Sequence, residues 1–368
     1  AKGGKDRIPP RTPCGDLQVV TQVIKVQGER LDLKKPSSCI AQYVVPADAW
    51  YFTKNSHENW MPYSLIMEIA LQPNGFISGY MGTTLKYPDK DLFFRNLDGS
   101  GELIKQMDLR GETIVNHSTL LSTTMAGGMI VQSFTFALFV KNEAGGEDDL
   151  FYKGTAVFGY FGAEALTNQL GIDNGKLTHP WFVDNPTPTS DIKVIDLSNS
   201  LLGLYRAPHN KPHYKLAGGQ MNFIDSVSIV EGGGKAGVAY VYGERTIDAS
   251  DWFFRYHFHQ DPVMPGSLGV EAIIELMQTY ALSNDLGAKF TNPRFIAPTT
   301  VVKWKYRGQI TPLNKKMSLD VHITDLQKNT LADGSSEVRL VGDANLSKDG
   351  LRIYEVKDIV LSIIESTN

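Results

Sequence analysis

Apolar and polar positions alternate through most of this chain. In residues 129–140 (MIVQSFTFALFV), Phe134, Phe136, Leu138 and Val140 fall on one face. In 301–307, Val302, Trp304 and Tyr306 oppose Lys303, Lys305 and Arg307. Leu319, Val321 and Ile323 repeat the pattern, as do Val338 and Leu340. A period of two predicts antiparallel strands with one buried and one solvated face. Two stretches break it: 64–82 (SLIMEIALQPNGFISGYMG) and 267–283 (SLGVEAIIELMQTYALS). Both are too long and too continuously apolar for strands, so each predicts a helix buried on nearly all sides. Pro73 has no N–H to donate and is expected to kink or interrupt the first helix.

The two helices expose an internal repeat. Met61-Pro62 and Met264-Pro265 are 203 positions apart, as are Glu68 and Glu271. Upstream of each helix run two strands and an aromatic cluster, ADAWYF in one half and DASDWFF in the other. Three or four alternating strands follow each helix. A curved sheet wrapped around one central helix satisfies this order, because the helix supplies the apolar filling. The division expected is 1–165 and 216–368 as the two units. Residues 166–215, rich in Pro, Asn and His, form the segment between them.

Composition narrows the class. The 36 Lys and Arg against 40 Asp and Glu leave a net charge of −4 with no basic stripe, against a general nucleic-acid binder. No run of about 18 apolar residues predicts a membrane span. The N-terminus, AKGGKDRIPPR, has no apolar core of a signal peptide and no initiator Met, so a segment of something longer is expected. Two cysteines, Cys14 and Cys39, are too few for a disulfide framework and point to a cytoplasmic setting, where the sequons at Asn116 and Asn345 mean little. Glu231-Gly232-Gly233-Gly234-Lys235-Ala236 lacks the Gly spacing and the Ser/Thr of a phosphate loop and reads as a turn between strands. Lys34-Lys35 and Lys315-Lys316 read as solvated turns.

The chemistry concentrates in His257-Phe258-His259-Gln260-Asp261-Pro262-Val263-Met264-Pro265-Gly266. On a strand, His257, His259 and Asp261 would share a face, but Asp261-Pro262 favours a turn, and His57, His117, His179, His209, His213 and His322 form no second ligand cluster. No metal is expected, and His259 and Asp261 read as structural groups satisfied by backbone. His257 precedes a turn that delivers the chain into the second helix near Ser267. There Gly266 allows close approach to backbone, and the helix N-terminus offers unpaired N–H groups for a developing oxyanion, such as that of a thioester carbonyl. A His is the usual base at neutral pH. Glu68 lies mid-helix among Leu65, Ile66, Met67, Ile69 and Ala70. Burial raises a carboxyl's pKa, and an acid that keeps its proton can protonate a leaving hydroxyl. For Glu271 and Glu275, an ordinary paired or surface carboxylate stands level with function.

HFHQDPVMPGSLGVEA resembles the active-site stretch of the hotdog-fold 3-hydroxyacyl-[acyl carrier protein] dehydratases, above all the dehydratase/isomerase of unsaturated fatty acid synthesis. The lead-in FIDSVSIVEGGGKAGVAYVYGERTIDASDWFF is similar to the same family. With PADAWYFTKNSHENWMPYSLIMEIALQPNGFISGYMGTTL in front, residues 10–366 look like the dehydratase region of polyketide-like polyunsaturated fatty acid synthases. The resemblance implies an α+β double hotdog packed as a pseudo-dimer. It makes His257 the base and places the family's acid position at Glu271, fourteen residues on. In the family, however, the His and the acid of one site come from opposite hotdogs, so the partner implied for His257 is Glu68. Gln72, one turn later, orients the acid, and Gly266 supplies the oxyanion amide. Glu stands where the isomerising enzymes have Asp, and Ser267 where they have Cys.

The complementary site, with Lys54 or Asn55 at the His position, His57 aligned with His259, and Tyr63 in place of the glycine, is expected to be dead. The implied function is dehydration of 3-hydroxyacyl thioesters to 2-enoyl thioesters. The substrate would ride on the phosphopantetheine of an acyl carrier protein, beside other synthase domains, without a cofactor of the protein's own. Dehydration with isomerisation to the 3-enoyl product, a non-catalytic acyl-binding scaffold and a hotdog thioesterase are the alternatives.

Overall fold

The computed structural model describes residues 8–53, 60–142, 144, 148–199, 203–331 and 334–366. Lys54, Asn55 and His57 lie outside the described residues. The N-terminal half contributes β1 (Gln22–Gln27), β2 (Ser37–Val44), β3 (Phe93–Leu103), β4 (Thr113–Ala126), β5 (Met129–Val140) and β6 (Asp149–Phe161). The C-terminal half contributes β7 (Ile192–Asp196), β8 (Ser226–Glu231), β9 (Ala239–Thr246), β10 (Pro293–Ile296), β11 (Val301–Tyr306), β12 (Lys316–Thr330), β13 (Ser336–Lys348) and β14 (Leu351–Glu365). β7, which lies within residues 166–215, pairs with β8.

The strands join one antiparallel sheet in the order β1-β2-β4-β5-β6-β3-β11-β14-β13-β12-β9-β8-β7, with β10 on β14. The order reads outward from the β3–β11 seam as two copies of one pattern, so the fold is an α+β double hotdog. At the seam Trp304 faces Gly99 across the pairing. A Cβ at Gly99 would lie 2.2 Å from the indole, so only glycine lets the two halves pair there. The Trp304 indole N–H donates to Asn96 Oδ1 at 2.7 Å and locks the register.

Each half wraps one apolar helix, Tyr63–Tyr80 and Gly266–Ser283. The two helices also pack on each other. The first runs unbroken through Pro73, contrary to the interruption the sequence leads one to expect. The physical reason lies on β4. Pro73 cannot donate to the carbonyl of Ile69. The Asn116 side-chain amide donates instead, at 2.8 Å to Ile69 O and 3.1 Å to Ala70 O. Asn116 is itself buried, and Ser118 Oγ donates to its Oδ1 at 2.7 Å. Asn116→Leu is therefore expected to cost about 1–3 kcal/mol, the range for orphaning a buried carbonyl. In a Pro73→Ala background the restored helical N–H should cut that cost by more than half. Equal costs in the two backgrounds, measured by urea unfolding, would show that Ile69 is not the group being served.

Candidate active site

The segment around His257 is a closed loop. His257 N donates to Phe253 O at 2.9 Å, Val263 N donates back to His257 O at 2.8 Å, and Phe258 and Asp261 exchange backbone bonds. The ring is fixed as well: Nδ1 lies 2.9 Å from Val263 O. A carbonyl only accepts, so Nδ1 carries the proton and Nε2 keeps its lone pair. Burial pushes the imidazole down from 6.5 to about 3, against the Val263 hydrogen bond, which favours the charged form; the nearby Arg95 charge adds to the lowering. At neutral pH the ring is uncharged.

The loop is tied across the seam. Arg95, on β3, donates through both terminal nitrogens to Asp261, at 2.7 and 2.5 Å. Asp261 is thus held by a guanidinium of the other half, a correction to the backbone partners expected from the sequence. Nothing in the sequence around Arg95 marked it, because its partner is 166 positions away. His259 points to solvent.

Glu68 sits on the first helix and is 5% exposed. Burial raises its pKa, and two donors partly offset that. Ser267 Oγ donates to Oε1 at 2.6 Å from the opposite half, and Gln72 Nε2 donates to Oε2 at 2.9 Å. Gln72 is pinned in turn: its amide also donates to Leu17 O at 2.8 Å and its Oε1 accepts Val19 N at 3.2 Å. The helix spacing of four residues explains why Gln72 reaches Glu68. Ser267 stands in the sequence motif, at the position where the isomerising enzymes have Cys, and matches Ser64 in the repeat.

The pseudo-symmetric carboxylate behaves differently. Glu271 Oε2 accepts the backbone N–H of Ser64 at 2.9 Å, at the start of the first helix. Burial raises its pKa too. Glu275 accepts Phe223 N at 2.8 Å, and burial holds its pKa well above the usual carboxylate range. Tyr63, opposite in the repeat to Gly266, is buried with its hydroxyl 3.3 Å from that of Tyr152.

One cavity of about 460 Å³ brings His257, Gly266, Ser267, Glu68 and Gln72 together, while Glu271 and Glu275 are not part of its wall. Positions 68, 71, 72, 75, 76 and 79 line it, a single face of the first helix. That face runs about 16 Å at 1.5 Å per residue. Leu71, Phe76, Phe94 and Phe158 give the wall apolar side chains. Gly266 is the first residue of its helix, so its N–H has no acceptor within the helix. A Cβ there would meet the Tyr306 ring at 2.5 Å, and Tyr306 Oη donates to Gly266 O at 3.1 Å. The N-terminal segment Pro9–Pro13 closes one side of the cavity, which sequence reasoning did not foresee. It is anchored by Ile8 N donating to Asp91 at 2.9 Å and Cys14 N donating to Tyr256 O at 3.1 Å.

The double hotdog thus encloses a cavity that holds a buried, uncharged His from one half and a buried carboxyl from the other. Residues 216–357 match the model of the FabA-like domain. The chain is 35% identical over 370 aligned positions to a polyunsaturated fatty acid synthase subunit from Thraustochytrium sp.. The match covers 96% of this chain and 24% of that relative, so the chain spans about a quarter of its length. Among solved structures it is similar to the dehydratase domain from the CurJ module of the curacin polyketide synthase. That match has 11% identity and a TM-score of 0.48, over 94% of this chain and 96% of that one. The dehydratase domain from the terminal module of the rifamycin polyketide synthase matches at 12% identity and a TM-score of 0.47, over 95% and 97%. Among the described residues no helix is long and apolar enough to cross a membrane.

Proposed function

We propose that this chain removes water from 3-hydroxyacyl thioesters to give 2-enoyl thioesters, with one active site at the seam between residues 1–165 and 216–368. The observation that carries the reading is the shared cavity: a neutral His257 with a free Nε2, and from the opposite half a Glu68 whose pKa burial raises. The thioester carbonyl accepts the Gly266 N–H, which stabilises charge as it develops on oxygen. His257 Nε2 takes the α-proton. The α-carbon pair then forms the double bond as the bond to the 3-hydroxyl breaks, and Glu68 delivers its proton so that water leaves. This leaves an imidazolium and a carboxylate, which exchange one proton through solvent before the next turnover. Ser267 and Gln72 hold Glu68 in place.

The step transfers protons and no electrons to an acceptor, so the reading invokes no cofactor. The substrate is carried on the phosphopantetheine arm of an acyl carrier protein, in a cytoplasmic polyunsaturated fatty acid synthase with other synthase domains as neighbours. The named relative supports that setting, and two unpaired cysteines agree with it. Incubation of the purified chain with a 3-hydroxyacyl thioester should give the 2-enoyl thioester, seen by loss of water in the mass spectrum and by conjugated absorbance. A double bond at position 3, or release of free thiol, would overturn it in favour of isomerisation or hydrolysis.

A further inference from the structure

Gln309 lies in the loop between β11 and β12, on the wall of the same cavity. It is 8% exposed, and its Oε1 has no hydrogen-bond partner among the described residues. Three other polar side chains of that wall have their acceptors occupied. Glu68 accepts from Ser267 and Gln72, Gln72 accepts from Val19, and Asn96 accepts from Trp304. A buried carbonyl without a partner is costly, so folds rarely keep one without a use for it.

Its position defines the ligand atom it would meet. The loop is held against the Gly266 turn at both ends. Tyr306 Oη donates to Gly266 O at 3.1 Å, and Met264 N donates to Ile310 O at 2.9 Å. Between these two ties, Gln309 flanks the segment that carries the Val263 carbonyl, the partner of the His257 ring, and the Gly266 N–H. Gly308 makes the approach possible, because a Cβ there would lie 2.3 Å from Ile353. A group that needs an N–H donor therefore stands beside the place where the thioester carbonyl is to be held. The phosphopantetheine arm has a secondary amide N–H two methylenes from the thioester sulfur.

We propose that Gln309 accepts that amide N–H and sets the register of the thioester against Gly266 and His257. The proposal rests on the dehydratase reading above. It makes Gln309 a binding residue for the arm, and it predicts a KM effect with kcat little changed.

The test compares two small thioesters of one 3-hydroxyacyl group. One is the N-acetylcysteamine thioester; the other replaces the amide N–H with an ester oxygen and is otherwise the same shape. The wild-type chain should show a KM about tenfold lower for the amide, the scale of one buried hydrogen bond. Gln309→Met, similar in volume but with no acceptor for the N–H, should erase that preference, with an unchanged kcat and a melting temperature no lower than the parent's. Absence of the preference in the wild type, or its survival in Gln309→Met, overturns the proposal. Turnover of neither thioester by the wild type overturns the dehydratase reading and this proposal together.

Discussion

Glu68→Gln should lower turnover of a 3-hydroxyacyl thioester by about 10²–10⁴-fold, the range for a positioned acid or base, and His257→Ala by as much. Glu271→Gln should stay within a few-fold of the parent. The asymmetry follows from the cavity wall, which includes Glu68 and leaves out Glu271. The pH profile gives an independent reading. A base works above its pKa, so the depressed imidazole, about 3, leaves His257 competent throughout the neutral range. An acid works below its pKa, so the raised Glu68 carboxyl sets an alkaline limb to higher pH than an ordinary carboxylate would. The residual activity of Glu68→Gln should lack that limb.

Folding supplies the control. The unfolded Glu68 ionises near its ordinary value, while burial makes the folded one hold its proton to higher pH. Its contribution to stability is thus present at low pH and lost as pH rises toward the folded value. Glu68→Gln should accordingly be no less stable than the parent at pH 8. A dead but destabilised variant would point to misfolding, and a lethal Glu271→Gln beside a harmless Glu68→Gln would refute the cross-half pair.

Arg95→Met should lower stability by about 2–4 kcal/mol and reduce kcat as well. The side chains of Arg95 and Asp261 are 10% and 17% exposed, so removing the guanidinium strands a largely buried carboxylate. Breaking a buried pair from one side typically costs about 3–5 kcal/mol, and residual solvent access reduces that. The activity loss follows because Asp261 belongs to the loop that begins at His257. Asp261→Asn in the Arg95→Met background should recover at least half of the lost stability by removing the orphan charge. Denaturant melts of the three proteins decide it. An Arg95→Met protein that unfolds at the parent's midpoint would mean that the pair does not hold the loop.

The strands were legible because alternation is a local consequence of the pleat. The two helices were legible because uninterrupted apolar runs of that length fit nothing else. Pro73 does not interrupt its helix because the Ile69 carbonyl is served from outside, by Asn116 on a strand more than forty positions away. Asp261 misled for the same reason: a turn residue usually finds backbone partners nearby, whereas this one found Arg95 across the seam. Ser267 stood in the motif, but its bond to Glu68 joins residues 199 positions apart.

The sequence by itself determined the repeat, the two central helices, and the placing of His257 just before a glycine that starts a helix. Each of these depends on period, length or neighbouring residues. The tertiary structure alone decided that Ser267 donates to Glu68 and Arg95 to Asp261 across the seam, and that Gln309 and the Pro9–Pro13 segment border the cavity. Those relations arise when two sheets join at β3 and β11 and two helices pack at the seam. Spacing along one chain carries no record of distances created by that packing.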